Sequence, residues 1–309
     1  MQALIGSYGV NMKSKLFLYI SLLVDVSIAL SKFVAAAFTG SSAMVSEGVH
    51  SVIDAISQLL LLWGIKRSNK PPDINRPFGY GKELYFWSFI VSLILFIVGG
   101  CISFYEGLSH LQQPGIESNQ NWNYFILAFA FVFNCISLYS ATKAFNKEKS
   151  EGSFWRNVKQ SKNPSTFIVM LGDVADLLGL VVAFFGVFLG HLYHNAVYDG
   201  VASMLIGGIL IVISLILVKE SKSLLMGETI SPVTLKKIIE LAQADSAVVK
   251  VKKNFSMYLA PEEVLLQLNT VFKTDLETPQ ITEAIERIIK NIKTEYPRVK
   301  QIFIEPVAK

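Results

Sequence analysis

Residues 39–55 read TGSSAMVSEGVHSVIDA, and the reading of this stretch decides the fold. Glu47, His50 and Asp54 stand at i, i+3 and i+7, so they share one face of a helix. Their surroundings are apolar or small, and the apolar run continues to Ile65. A run of that kind, about 20 residues long, matches the thickness of a bilayer. Ionisable groups inside it cannot face lipid and must look toward other helices.

Five more apolar runs of spanning length surround it, giving expected spans at about 16–38, 42–65, 84–105, 122–144, 166–192 and 197–218. The whole chain agrees: of 309 residues, 52% are hydrophobic and only 17% charged, the balance of an integral membrane protein. With 10 Pro, 20 Gly and 2 Cys, it is neither a disordered chain, nor collagen-like, nor a disulfide scaffold. The net charge of +4 is small for this length and forms no patch for a nucleic acid. Ala35, Ala36 and Ala37 resemble a signal cleavage site, but the length of the first run and its internal Asp25 and Lys32 mark it as a retained helix.

The basic residues set the expected orientation. Lys13 and Lys15 precede the first span; Lys66, Arg67, Lys70, Arg76 and Lys82 fill the second loop; Lys143, Lys147, Lys149, Arg156, Lys159 and Lys162 crowd the fourth; Lys219 and Lys222 follow the sixth span. The remaining loops lack Lys and Arg, so the positive-inside rule places both termini in the cytoplasm. In a bacterium that means the inner, or plasma, membrane.

Beyond the spans the composition changes, dividing the chain into a six-helix membrane domain at 1–222 and a soluble domain at 223–309. Ser231-Pro232 reads as N-cap and first turn of a helix reaching about Ala244. Val249, Val251, Phe255 and Met257 alternate with polar neighbours, as do Val264, Leu266, Leu268, Thr270 and Phe272, which predicts two half-buried strands turning at Ala260-Pro261. Thr278-Pro279 opens a helix with Ile281, Ile285, Ile288 and Ile292 on one face, and Val299–Ile304 closes with a strand. The expected fold is an α-helical membrane protein carrying a C-terminal α+β domain of order αββαβ.

Chemistry is expected where ionisable groups sit in hydrocarbon. The spans and their margins carry Asp25, Glu47, His50, Asp54, Glu106, Asp173, Asp176 and Asp199 against one interior base, Lys32, an excess of acid that points to a cation path. At 1.5 Å per residue, His50 and Asp54 lie roughly 12 to 18 Å from the outer boundary, and Asp173 and Asp176 roughly 11 to 15 Å from the inner one. Asp25 falls at a similar depth, so these groups converge near the midplane. One imidazole with several carboxylates suits a divalent transition metal such as Zn, Co, Fe or Mn. Glu106 and Asp199, near the outer boundary, read as hydrated or packing groups. Gly172, Gly179 and Gly186 repeat every seven residues and predict a close-packing stripe.

These residues give the chain a resemblance to the cation diffusion facilitators, homodimeric exporters of zinc and related divalent metals in exchange for protons. The resemblance rests on TGSSAMVSEGVHSVIDA with its HxxxD pair His50 and Asp54, RPFGYGKELYFW at 76–87, GDVADLLGL at 172–180, DGVASMLIGG at 199–208 and the terminal αββαβ domain. It covers essentially the whole chain and looks closest to the branch containing a mitochondrial zinc transporter and its bacterial relatives.

It implies metal ligands at His50, Asp54 and Asp173. Much of the family carries His or Asp at the position of Val169, and the closest branch a Glu at that of Gly172, so Asp176 is expected to complete the sphere, with Asp25 and Glu47 as further candidates. A second metal site before helix three is expected to be absent, since the matching positions are Asp73, Arg76 and Tyr80. The soluble domain holds no His or Cys and is expected to dimerise without a zinc cluster. Cys101 and Cys135 are expected at different depths, too far apart for a disulfide. The family's charge contact near the dimer axis maps onto Lys82 and, two residues beyond the usual acidic position, Glu228.

The expected function is therefore zinc efflux by proton antiport, with Fe, Co or Mn as alternative cargo and no cofactor beyond the transported ion. ATP is not implied, since no GxxxxGK[ST] occurs, and a metal-dependent hydrolase would need a signature such as HExxH. The chain is thus not expected to be an enzyme. A membrane metal sensor or scaffold is the remaining alternative class. The expected partners are a divalent metal, protons, the bilayer and a second copy of the chain.

Overall fold

The structure, a computed structural model, describes residues 12–112, 121–147, 162 and 164–308. Its membrane-type helices are α1 (Met12–Thr39), α2 (Ser42–Ser68), α3 (Lys82–Ile94), α4 (Ser103–Gln112), α5 (Asn121–Lys147), α6 (Pro164–Tyr193) and α7 (Val197–Met226). Between α3 and α4 the stretch Leu95–Ile102 is π-helical, so the chain runs as one rod from Lys82 to Gln112. Each of the six apolar runs falls within one rod. Among the described residues, four helices are long and apolar enough to cross a membrane: Ser42–Ser68, Lys82–Gln112, Phe167–Tyr193 and Val197–Met226. The apolar parts described in α1 and α5 are the shorter stretches Val26–Thr39 and Tyr124–Ile136. Of the basic residues used for orientation, Lys149, Arg156 and Lys159 lie outside the described residues.

Local chemistry explains the breaks. Gly40, at φ 73°, makes the tight joint between α1 and α2, and Ser41 caps α2 by accepting from the Met44 N–H at 3.2 Å. Lys66 and Arg67 complement the dipole at the other end of α2. Gly227, at φ 108°, ends α7 in the left-handed conformation, with its N–H returning to Ser223 and Leu224 carbonyls.

Close helix crossings depend on missing side chains. A Cβ at Gly100 would meet the backbone of Ile211, and one at Gly207 the backbone of Phe104. In α6, Gly179 lies against the Glu47 carboxylate and Gly186 against Ala202, as a packing stripe requires. Gly172 departs from that expectation, with nothing within 4 Å of a Cβ placed there.

The C-terminal unit has the predicted order: α8 (Pro232–Gln243), β1 (Val248–Ala260), β2 (Glu263–Phe272), α9 (Thr278–Glu295) and β3 (Val299–Pro306). The sheet order is β1-β2-β3, with β1 and β2 antiparallel and β2 and β3 parallel. Val264, Leu266 and Leu268 of β2 are buried with Ile238 and Ala242 of α8 and Ala284, Ile288 and Ile292 of α9. The phase of β1 differs from the alternation expected. Bulges near Val248 and Val251 shift its register, so Val248, Ser256 and Tyr258 are buried while Val249 and Phe255 are exposed. Phe255 pairs with Gln267, and Gln267 with Phe303, so two exposed aromatics flank a glutamine across the sheet.

Candidate metal centre

The α2 face bearing Glu47, His50 and Asp54 turns inward, against α6 and α1. His50 is fully buried, and its two nitrogens address carboxylates on two helices: Nε2 lies 3.5 Å from Asp54 Oδ2, and Nδ1 lies 3.3 Å from Asp176 Oδ1. Each of these three residues offers one ligand atom, and the atoms all lie within 4.8 Å of one another. Both His50 nitrogens and Asp176 Oδ1 are buried without a hydrogen-bond partner among the described residues. Polar atoms left this way cost about 1–3 kcal/mol each, which an ion bound between them would recover. One imidazole and two carboxylates form a hard-to-borderline donor set that fits a divalent transition metal.

The expected ligands divide on this geometry. His50, Asp54 and Asp176 come together. Asp173, one turn nearer the N-terminal end of α6, lies outside that group of three and is half-buried. The side chain of Asp25 lies outside the described residues. Glu47 is not turned toward His50 but toward α1, where Lys32 Nζ meets Glu47 Oε2 at 2.8 Å and Ser51 Oγ at 2.8 Å. Lys32 and Glu47 are both fully buried.

Two further groups find partners within the chain. Lys82 and Glu228 do not pair within the chain: Lys82 donates to Met257 Sδ at 3.5 Å, while Glu228 is held by Lys162 at 2.5 Å. Lys162 stands just before α6. Asp199, read as a hydrated or packing group, is fully buried and caps α2 across the interface. It accepts from Ser41 Oγ at 2.6 Å, Ser42 N at 2.5 Å, Ser42 Oγ at 2.8 Å and Ala43 N at 3.1 Å. The sequence signal for this was the Ser41-Ser42 pair at a helix start, which shows that donors are present but not who accepts.

The loop before α3 is held by its own contacts. Tyr80 donates to Asp73 Oδ2 at 2.6 Å, and the Arg76 guanidinium lies 4.6 Å from the Tyr80 ring centre. The Tyr80 hydrogen bond leads the causes that hold the Asp73 carboxyl below its ordinary range.

The centre lies in a helical domain with a recognisable counterpart. Residues 18–226 match the model of the cation efflux transmembrane domain. The chain belongs to the cation efflux family. With four helices of spanning length among the described residues, this makes it an integral membrane protein. Relatives in the family include the mitochondrial proton-coupled zinc antiporter of Xenopus laevis, 35% identical over 219 residues, or 70% of this chain and 39% of that protein. Its mouse counterpart is 32% identical over the same shares. The chain thus spans about two fifths of the length of these antiporters. The manganese efflux system protein MneP of Bacillus subtilis is 25% identical over 276 residues, covering 85% of this chain and 86% of that protein.

Proposed function

We propose that this cation efflux protein exports divalent metal from the cytoplasm, with zinc as its main cargo and protons as counter-ion. The observation that carries the reading is the convergence of His50, Asp54 and Asp176 donors within 4.8 Å of one another, deep in a helical bundle. Asp173, on the same face of α6, is the fourth donor in this proposal, closing on the ion from the cytoplasmic side. The chain acts as a transporter rather than an enzyme, in six spans with both termini cytoplasmic, the 223–309 unit pairing two copies.

The residues account for coupling without further parts. Metal ligands must be deprotonated, so an ion arriving at His50, Asp54 and Asp176 displaces protons, and protons arriving displace the ion. Competition for one site, alternately open to each side, is sufficient for antiport. The imidazole favours zinc over manganese, whose sites are more often all oxygen. The likeness to MneP supports manganese as the second reading, since it extends over most of both chains.

The test is uptake into proteoliposomes of zinc, manganese, cobalt, iron and cadmium under an imposed pH gradient. Zinc movement that collapses the gradient is expected. Movement of manganese alone would overturn the choice of cargo, and metal movement with no proton flux would overturn the coupling.

A further inference from the structure

The buried lysine beside the centre is unexplained by metal binding. A lone ammonium in hydrocarbon is among the most costly of side chains, and here it stands next to a site proposed to receive another cation. Lys32 Nζ is tied to Glu47 Oε2 at 2.8 Å, to Ser51 Oγ at 2.8 Å and to the Glu47 carbonyl at 3.5 Å, so it is fixed in place. Glu47 precedes His50 by one turn on the same face of α2. Its other oxygen, Oε1, has no hydrogen-bond partner among the described residues and lies against Gly179, one turn beyond Asp176 on α6. A third carboxylate therefore stands at the seam where His50 and Asp176 meet, restrained by a single lysine.

We infer that Lys32 sets the affinity of the metal centre by neutralising Glu47, and is a positioning residue for the ion rather than a ligand. This rests on the centre proposed above. With His50 neutral as a ligand, Asp54, Asp176 and the proposed fourth donor Asp173 carry three negative charges, already one more than a divalent ion balances. Glu47 without Lys32 would add a fourth charge and a free oxygen, and the ion would be held too tightly to leave. Transport requires binding strong enough to enter and weak enough to release. The small residue at 179 has its own place in this account, because it leaves room for the Glu47 carboxylate in the seam.

The sign of the effect is the test. Zinc affinity of the purified full-length chain in detergent is measured by calorimetry, and zinc transport in proteoliposomes, for Lys32→Met, Glu47→Gln, the double variant and Lys32→Arg. Lys32→Met is expected to bind roughly tenfold tighter and transport more slowly, and Glu47→Gln to bind roughly tenfold weaker, since a unit charge is gained or lost near the ion. The double variant restores a neutral pair and is expected within about threefold of wild type, as is Lys32→Arg, which keeps the charge. A merely structural pair would shift both single variants in the same direction, and that result overturns the inference. Where Lys32→Met fails to fold, the double variant must still bind more tightly than Glu47→Gln, and its failure to do so has the same meaning. Wild-type protein that binds neither zinc nor manganese would overturn the metal centre itself, and this inference with it.

Discussion

His50 Nδ1 and Asp176 Oδ1 lie 3.3 Å apart across the seam between α2 and α6. The contact joins the HxxxD face of one helix to an acid on another, and it selects Asp176 over Asp173 as the group already facing the imidazole. Alanine at Asp54 or Asp176 is expected to weaken zinc binding by about 100-fold or more, since each removes an anionic donor from a site of low dielectric. Asp173→Ala is expected to cost only about tenfold, because three donors remain in place. Calorimetry on the three variants checks the ranking, and a larger loss at Asp173 would exchange the two roles.

Binding is expected to release protons and to weaken as pH falls, because the imidazole and carboxylates must be deprotonated to hold metal. Zinc titrations in buffers of different ionisation enthalpy measure the number released. An apparent enthalpy independent of buffer would contradict competition between ion and proton.

Asp199→Ala is expected to lower the stability of the bundle by about 2–4 kcal/mol, since it strands several buried donors at the start of α2. Thermal unfolding in detergent reads the loss. Zinc affinity should stay within about twofold of wild type, because Asp199 caps a helix and is remote from the His50 cluster.

Gly207→Ala and Gly208→Ala form a matched pair. A Cβ at 207 would meet the backbone of Phe104, whereas one at 208 meets nothing within 4 Å. The first is expected to destabilise by roughly 1–3 kcal/mol through overpacking. The second is expected to be neutral or to stabilise by up to about 1 kcal/mol through helix propensity. Equal unfolding temperatures for the two would refute the close crossing of α4 and α7.

In the soluble unit, burial pushes the Asp245 carboxyl up, but two hydrogen bonds from Arg287 at 3.1 Å outweigh it and leave the group below its ordinary range. A depressed carboxyl stabilises the fold above about pH 4, its unfolded value, and that contribution is lost as pH falls through the folded value. Arg287 is half-exposed, so solvent screens the pair and its contribution is small. Asp245→Asn should therefore speed hydrogen exchange in α9 and β1 up to about fivefold near neutral pH, with the ratio to wild type shrinking on acidification. A ratio unchanged by pH would mean that the ion pair contributes nothing.

Much of the molecule was legible in order. Hydrophobic runs are a property of the chain alone, so helix positions followed from length, and the αββαβ sequence followed from the change of period after α7. The two departures in the soluble unit and the bundle have a common cause. Bulges in β1 and the open space beside Gly172 depend on neighbours, and periodicity assumes that spacing never slips.

The candidate site divides in the same way. Sequence alone determined that Glu47, His50 and Asp54 share a face, because 3.6 residues per turn dictates it. It also determined that carboxylates outnumber bases in the bundle. Only the tertiary structure decided that Asp176 meets His50, that Glu47 turns from the centre to Lys32, that Asp199 caps α2 and that Lys162 rather than Lys82 reaches Glu228. The physical reason is that a buried charge must find a partner, and the partner is chosen by the rotation and crossing of helices distant in sequence.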